Sequence, residues 1–210
     1  MEKANNLSAL SGIGHGFFNR WNSKNVVHPL LMNQVHSADV RVIDKVDETI
    51  PSVDAWVTKM PGLCLTVKTA DCAPVLLADA KNCVIGAAHA GWKGAFQGVI
   101  ENTVLAMLKK GADLNSIHAA IGPCLHRDSF EVDVAFTALF PKTEHHFFTQ
   151  MASGKFLFDF VAYVRHRLDR IGIQSVDVID IDTYTHPDYF SYRLEPENSG
   201  RQFSCIWLEK

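Results

Sequence analysis

The stretch TADCAPVLLADAKNCVIGAAHAGWKG, residues 69–94, decides the fold. Two runs within it, 75–78 and 84–88, are nearly all apolar, the pattern of central strands buried on both faces. Between them Asp79 to Asn82 is turn chemistry. The spacing predicts a hairpin, with the start of the first strand beside the end of the second. Cys72 opens the first strand, ahead of Ala73 and Pro74, and the proline holds its predecessor extended. His89 closes the second strand. The hairpin thus places a thiol and an imidazole at one edge, although a cysteine there is also a common small core residue.

A second imidazole lies upstream in Asn33-Gln34-Val35-His36-Ser37. One soft thiolate and two imidazoles make a three-ligand transition-metal site with a vacant fourth position. The plain alternative for His36 is a surface loop residue. His118 falls in a strand, His126 in a loop, His186 before a proline, and His145 and His146 are adjacent. No His-x-His pair occurs, which argues against a multicopper oxidase and limits the chain to one metal.

Other residues carry weaker signals. Asp71, beside Cys72, is a candidate general acid/base or a support for the thiolate; its plain alternative is a turn carboxylate capping backbone N–H groups. After His89, Ala90-Gly91-Trp92-Lys93-Gly94 leads into a helix whose start exposes N–H groups, but the glycines fit no phosphate-loop pattern. Arg193 can clamp phosphate or carboxylate, or form a surface salt bridge. Cys124, in Ile121-Gly122-Pro123-Cys124, reads as structural.

The 210 residues carry a formal charge of −3 and are 47% apolar, enough for a sizeable core in one domain, 1–210. There is no basic face for nucleic acid and no apolar run of membrane-spanning length. Five sparse cysteines and no signal-peptide core point to reduced thiols in the cytoplasm. Further strands are predicted at 40–43, 55–58, 63–67, 117–121, 176–181 and 203–208. Helices are predicted over 95–110 (stopped by Gly111), over 134–140 (stopped by Pro141), and from an Asp159 N-cap to Gly172. The mixture reads as α/β or α+β, with mixed sheets covered by helices.

Taken in order, Gln34-Val35-His36, Thr69-Ala70-Asp71-Cys72-Ala73-Pro74-Val75, His89-Ala90-Gly91-Trp92-Lys93-Gly94, Ile121-Gly122-Pro123 and Phe130-Glu131-Val132 resemble the motifs of the laccase-domain family. Its members are also called polyphenol-oxidase-like or purine nucleoside phosphorylase proteins. Thr183-Tyr184-Thr185, Phe190-Ser191-Tyr192-Arg193 and Gly200-Arg201 extend the match. The resemblance implies a layered α/β/β/α fold with mixed sheets, similar to a Cys-His toxin deamidase domain. It implies one zinc per chain on His36, Cys72 and His89, with copper as the alternative metal. It also implies phosphorolysis of adenosine, inosine, guanosine and methylthioadenosine, plus adenosine deamination. Arg193, Arg20 and Trp92 are then the substrate contacts, Asp71 joins the catalytic set, and the protein is a monomer or small homo-oligomer. Three departures stand out. Trp21-Asn22-Ser23 replaces the usual glycines and the segment at 20–33 is short; Asp182 stands in place of a cysteine; and Leu194 stands in place of an arginine.

Overall fold

The computed structural model describes residues 1–26, 28–45 and 50–209. Of the shortened segment, position 27 therefore lies outside the described residues. In chain order the strands are β1 (Ile13–Phe17), β2 (Pro29–Leu30), β3 (Val40–Ile43), β4 (Ala55–Thr58), β5 (Cys64–Thr69), β6 (Ala73–Asp79) and β7 (Val84–Ala90). They continue with β8 (His118–Ile121), β9 (Glu131–Val132), β10 (Phe148–Gln150), β11 (Phe156–Phe158), β12 (Ser175–Val178) and β13 (Gln202–Leu208). The helices are α1 (Asn5–Ser8), α2 (Trp92–Gln97), α3 (Val99–Lys109), α4 (Val134–Thr137) and α5 (Phe160–Arg170).

A six-stranded sheet runs β12-β8-β6-β7-β4-β3, with parallel pairs at both ends and antiparallel pairs between. β6 and β7 form the expected hairpin in its centre, every residue of both strands buried. Side chains alternate between two cores, as strand geometry requires. Val75 and Leu77 face one core with α3 and α5; Leu76 and Ala78 face the other. That second core is shared with a four-stranded mixed sheet, β1-β13-β5-β2, through Phe17, Leu65, Val67 and Ile206. Beneath α5 an aromatic cluster of Phe130, Phe136, Phe140, Phe148 and Phe158 packs against the small sheet β10-β11-β9.

The mixed α/β class holds. The two larger mixed sheets pack face to face over the second core, as the expected layered fold has them. The long helices cover only the six-stranded sheet, and the one-turn α1 plugs the edge between the sheets by burying Leu7. On the four-stranded sheet Thr66 is itself buried, its hydroxyl donating to the Cys64 carbonyl at 3.1 Å. The predicted helix over 95–110 is two helices, with Gly98 at φ 100° as the C-cap of α2 and the N-cap of α3. Its N–H donates to the carbonyls of Gly94 and Ala95. A left-handed cap lets α3 leave at a new angle while the apolar stripe stays on the sheet. The helix expected over 134–140 is a single turn, followed by Pro141. Strands β1, β2, β9, β10 and β11 were not predicted; the glycines of Ile13–Phe17 disguise a fully buried strand. Among the described residues no helix is long and apolar enough to cross a membrane.

The Gly98 turn gives a direct test. An L side chain in the left-handed region costs about 1–2 kcal/mol. Gly98→Ala should lower the unfolding free energy by about that amount, read from the midpoint of a urea titration at unchanged slope.

Candidate metal centre

The hairpin register pairs Ala73 with Ala90 and Pro74 with His89, so Cys72 and His89 sit at the same end. His36 arrives from the loop before β3. Ligand atoms of His36, Cys72 and His89 all lie within 4.8 Å of one another, and Cys72 Sγ is 3.7 Å from His36 Nε2. The two imidazole rings meet edge-on, centroids 4.8 Å apart. Tetrahedral zinc with two nitrogen ligands and one sulfur ligand needs donor separations of about 3.3–3.8 Å, a range that the Cys72–His36 separation meets. His89 is buried, Cys72 half-buried and His36 exposed, so the cluster opens to solvent on the His36 side.

Gly91 makes room for it. A Cβ there would stand 2.7 Å from His36 Cδ2 and 3.1 Å from Cys72 Sγ. The glycine in His-Ala-Gly-Trp is thus a steric necessity of the cluster rather than a phosphate cradle. The helix it opens, α2, has only six residues.

The residue that sequence reasoning missed is Asp54, just ahead of β4. It is completely buried. Its Oδ1 accepts from the His36 N–H at 3.0 Å and from His89 Nδ1 at 2.8 Å. Its Oδ2 accepts from the N–H groups of Val35 (3.2 Å) and Ser37 (2.6 Å), and from the Ser37 hydroxyl at 2.9 Å. Three consecutive N–H groups closing on one carboxylate form an anion nest. The nest holds His36 at φ 60°, in the left-handed region a histidine rarely adopts. By accepting a hydrogen bond from Nδ1–H, Asp54 also leaves His89 Nε2 to face the cluster. On the other flank, the Gln34 amide bonds the backbone of Lys68 in both directions, at 2.7 and 2.8 Å, and docks the loop onto β5. A sequence signal existed, an isolated acid at the mouth of the wholly apolar run Ala55–Val57.

Burial opposes charge on Asp54, but its bonds from His89 and Ser37 outweigh that and hold its pKa at about 2. Burial would neutralise His89; the thiolate of Cys72 and the Asp54 carboxylate instead raise it to about 9. Burial would raise Cys72; the facing imidazoles of His89 and His36 pull it down to about 6. The thiolate is therefore available at neutral pH for a soft cation. Cys124, buried among carboxylates and the Cys72 thiolate, is pushed up and stays a thiol.

The remaining candidates lie elsewhere or are occupied. Asp71, at φ 80°, accepts from the Thr183 hydroxyl (2.8 Å) and from the Arg193 N–H (2.7 Å). The Arg193 guanidinium donates to the carbonyls of Ser129 (2.7 Å) and Glu131 (2.5 Å) and lies over the Phe130 ring. Arg20 donates to the Tyr189 carbonyl at 3.0 Å and covers the ring of Phe190. Trp92 packs edge-on against Phe136, centroids 4.8 Å apart.

Fold and site together define a mixed α/β protein with one His-Cys-His centre able to take a metal ion. The chain belongs to the family described as multi-copper polyphenol oxidoreductase laccase, whose model matches residues 18–209. It is 37% identical over 189 residues to a purine nucleoside phosphorylase of Rickettsia prowazekii, covering 86% of this chain and 78% of that one. It is 31% identical over 194 residues to an adenosine deaminase from an unknown prokaryotic organism, covering 85% and 74%. Among solved structures, a Neisseria meningitidis protein of the family DUF152 superposes with TM-score 0.79 at 34% identity, covering 90% and 78%.

Two outcomes test this centre. Asp54→Asn, which replaces one acceptor oxygen by an NH2 donor facing other donors, should weaken zinc binding about 10–100-fold in chelator competition. In metal-free protein, alkylation of Cys72 by iodoacetamide should persist down to about pH 6 and fall below it, where an ordinary thiol fades near ~8.5.

Proposed function

We propose that the chain is a zinc-dependent purine nucleoside phosphorylase, acting on adenosine, inosine, guanosine and methylthioadenosine, with adenosine deaminase activity. The observation that carries this reading is the meeting of His36, Cys72 and His89 in a chain whose relatives bear those names. A zinc ion held by these three residues would supply Lewis acidity at an open fourth position, toward water or phosphate.

The chain's own residues prepare that chemistry. Cys72 brings the single negative charge of the ligand set, and the two imidazoles keep the site cationic enough to attract an anion. Asp54 fixes the His89 tautomer and the His36 loop, so little reorganisation is left for the reaction. Asp71 ties the Cys72 turn to the C-terminal segment through Arg193, with both oxygens engaged, which suits a positioning role better than proton transfer. The Arg193 N–H is tied to Asp71, beside Cys72, Trp92 follows Gly91, and Arg20 braces the segment that carries Arg193. With this reading go a cytoplasmic location, one domain over 1–210, and a monomer or small homo-oligomer without nucleic-acid or membrane partners.

A copper-dependent polyphenol oxidase is the second reading, favoured by the description of the matching family. Among the described residues one three-donor group is found. Four-electron reduction of oxygen at several coppers needs more imidazoles than that.

Incubation with adenosine, followed by chromatography, separates the readings. Adenine formed only with phosphate marks the phosphorylase, and inosine formed without it marks the deaminase. Cys72→Ala should lose the metal and both products, and full activity in that variant would sink the proposal. Oxygen uptake with a phenol, dependent on copper, would favour the oxidase. Nucleoside turnover that ignores chelators but stops on alkylation would instead make Cys72 a nucleophile and His89 its base.

A further inference from the structure

Two cysteines meet on the four-stranded sheet. Cys64 begins β5, whereas the turn bearing Cys72 follows the other end of that strand. In the β5–β13 register Thr66 pairs with Cys205, and Cys64 stands two residues before Thr66. Alternation puts Cys64, Thr66 and Cys205 on one face, opposite the core face of Leu65, Val67 and Ile206. The Thr66 hydroxyl oxygen lies 3.7 Å from Cys64 Sγ and 3.3 Å from Cys205 Sγ. The two sulfurs also bond each other, the Cys205 thiol donating. That bond outweighs burial and pulls Cys64 below the ordinary thiol range. Cys205, beside the Cys64 thiolate and buried, is pushed up and keeps its proton.

We propose that Cys64 and Cys205 form a peroxide-reactive dithiol, in which Cys64 is oxidised first and Cys205 resolves it into a cross-strand disulfide.

Access and charge assign the two roles. Cys64 is half-buried and Cys205 has no exposed surface, so an oxidant reaches the pair through Cys64. The Cys64 thiolate attacks one oxygen of hydrogen peroxide. A sulfur–oxygen bond forms, the oxygen–oxygen bond breaks, and hydroxide leaves, taking up the proton that Cys64 had released. Cys64 is then a sulfenic acid. Its negative charge is gone, and with it the influence that held the proton on Cys205. The Cys205 sulfur attacks the Cys64 sulfur, the sulfur–oxygen bond breaks, and the departing hydroxide takes the Cys205 proton. Two thiols and one peroxide thus give one disulfide and two waters. A thiol of lowered pKa, partly open to solvent and next to a resolving partner, is the arrangement that redox-responsive cysteines share. Such a pair suits a reducing compartment, where a disulfide is transient. Cys83 supplies the contrast: it is exposed, and its thiol donates to the Ala80 carbonyl at 3.7 Å.

The full chain, with zinc added, is treated with hydrogen peroxide at neutral pH, blocked with iodoacetamide and digested without reductant for mass spectrometry. A peptide pair linked through Cys64 and Cys205 should be the main disulfide product, and dithiothreitol should remove it. In Cys205→Ser the linked pair is lost, and dimedone, which captures sulfenic acids, should label Cys64 several-fold more than in the wild type. Cys64→Ser should leave Cys205 reduced at the same peroxide dose. The wild-type digest is decisive without either variant. Cys64 that is still alkylated after Cys83 has been oxidised, or that is joined mainly to another cysteine, overturns the proposal. So does equal dimedone labelling of Cys64 in the wild type and Cys205→Ser.

Discussion

Everything at the His36, Cys72 and His89 cluster depends on one buried carboxylate. Asp54 has no exposed surface and accepts five hydrogen bonds, four from the loop of His36 and one from the ring of His89. A buried charge is tolerable only when its lone pairs are fully used, and here they are. The bond to each ligand does separate work. The nest compensates the left-handed backbone of His36, and the Nδ1 contact fixes which nitrogen of His89 is free. Loss of Asp54 would orphan the donors and release both imidazoles at once.

The carboxylate can hold that position because the sheet beneath it is rigid. β4 pairs with β7 in register from Ala55–Ala88 to Thr58–Ile85, and the His89 N–H bonds the Asp54 carbonyl at 2.7 Å. Backbone and side chain of Asp54 therefore both engage His89. β6 continues the ladder on the far side and sets Cys72 beside them. Small residues at Ala87, Ala88 and Ala90 let the layers close tightly, and Gly91 carries the same economy of volume to the ligands.

Much of this was legible in the sequence. Two apolar runs around an Asp-Ala-Lys-Asn turn specify the hairpin, and the hairpin alone joins Cys72 to His89. His36 was not legible that way, because its approach depends on a non-local contact with Asp54 and on a backbone conformation that no side-chain pattern encodes. Asp54 itself hid as one polar residue before a strand; its five donors come mostly from main-chain groups, which leave no trace in residue identity. The break at Gly98 was masked because the apolar stripe runs on through it, and β1 because its glycines read as loop. Arg193 looked like an anion clamp from composition, yet most of its hydrogen bonding goes to carbonyl oxygens of its own fold.

The left-handed His36 carries a further consequence for how the molecule assembles. The β6–β7 hairpin is a local structure, closed over a short turn, and by itself supplies only two donors. The third is delivered when β3 lies parallel beside β4, a pairing that needs a crossover and draws the nest down on Asp54. A nascent chain thus offers a weak, bidentate grip, and the tridentate one exists only after the longer-range topology has closed. Metal capture by such a chain would report finished architecture, and an ion met too early would have little to hold it.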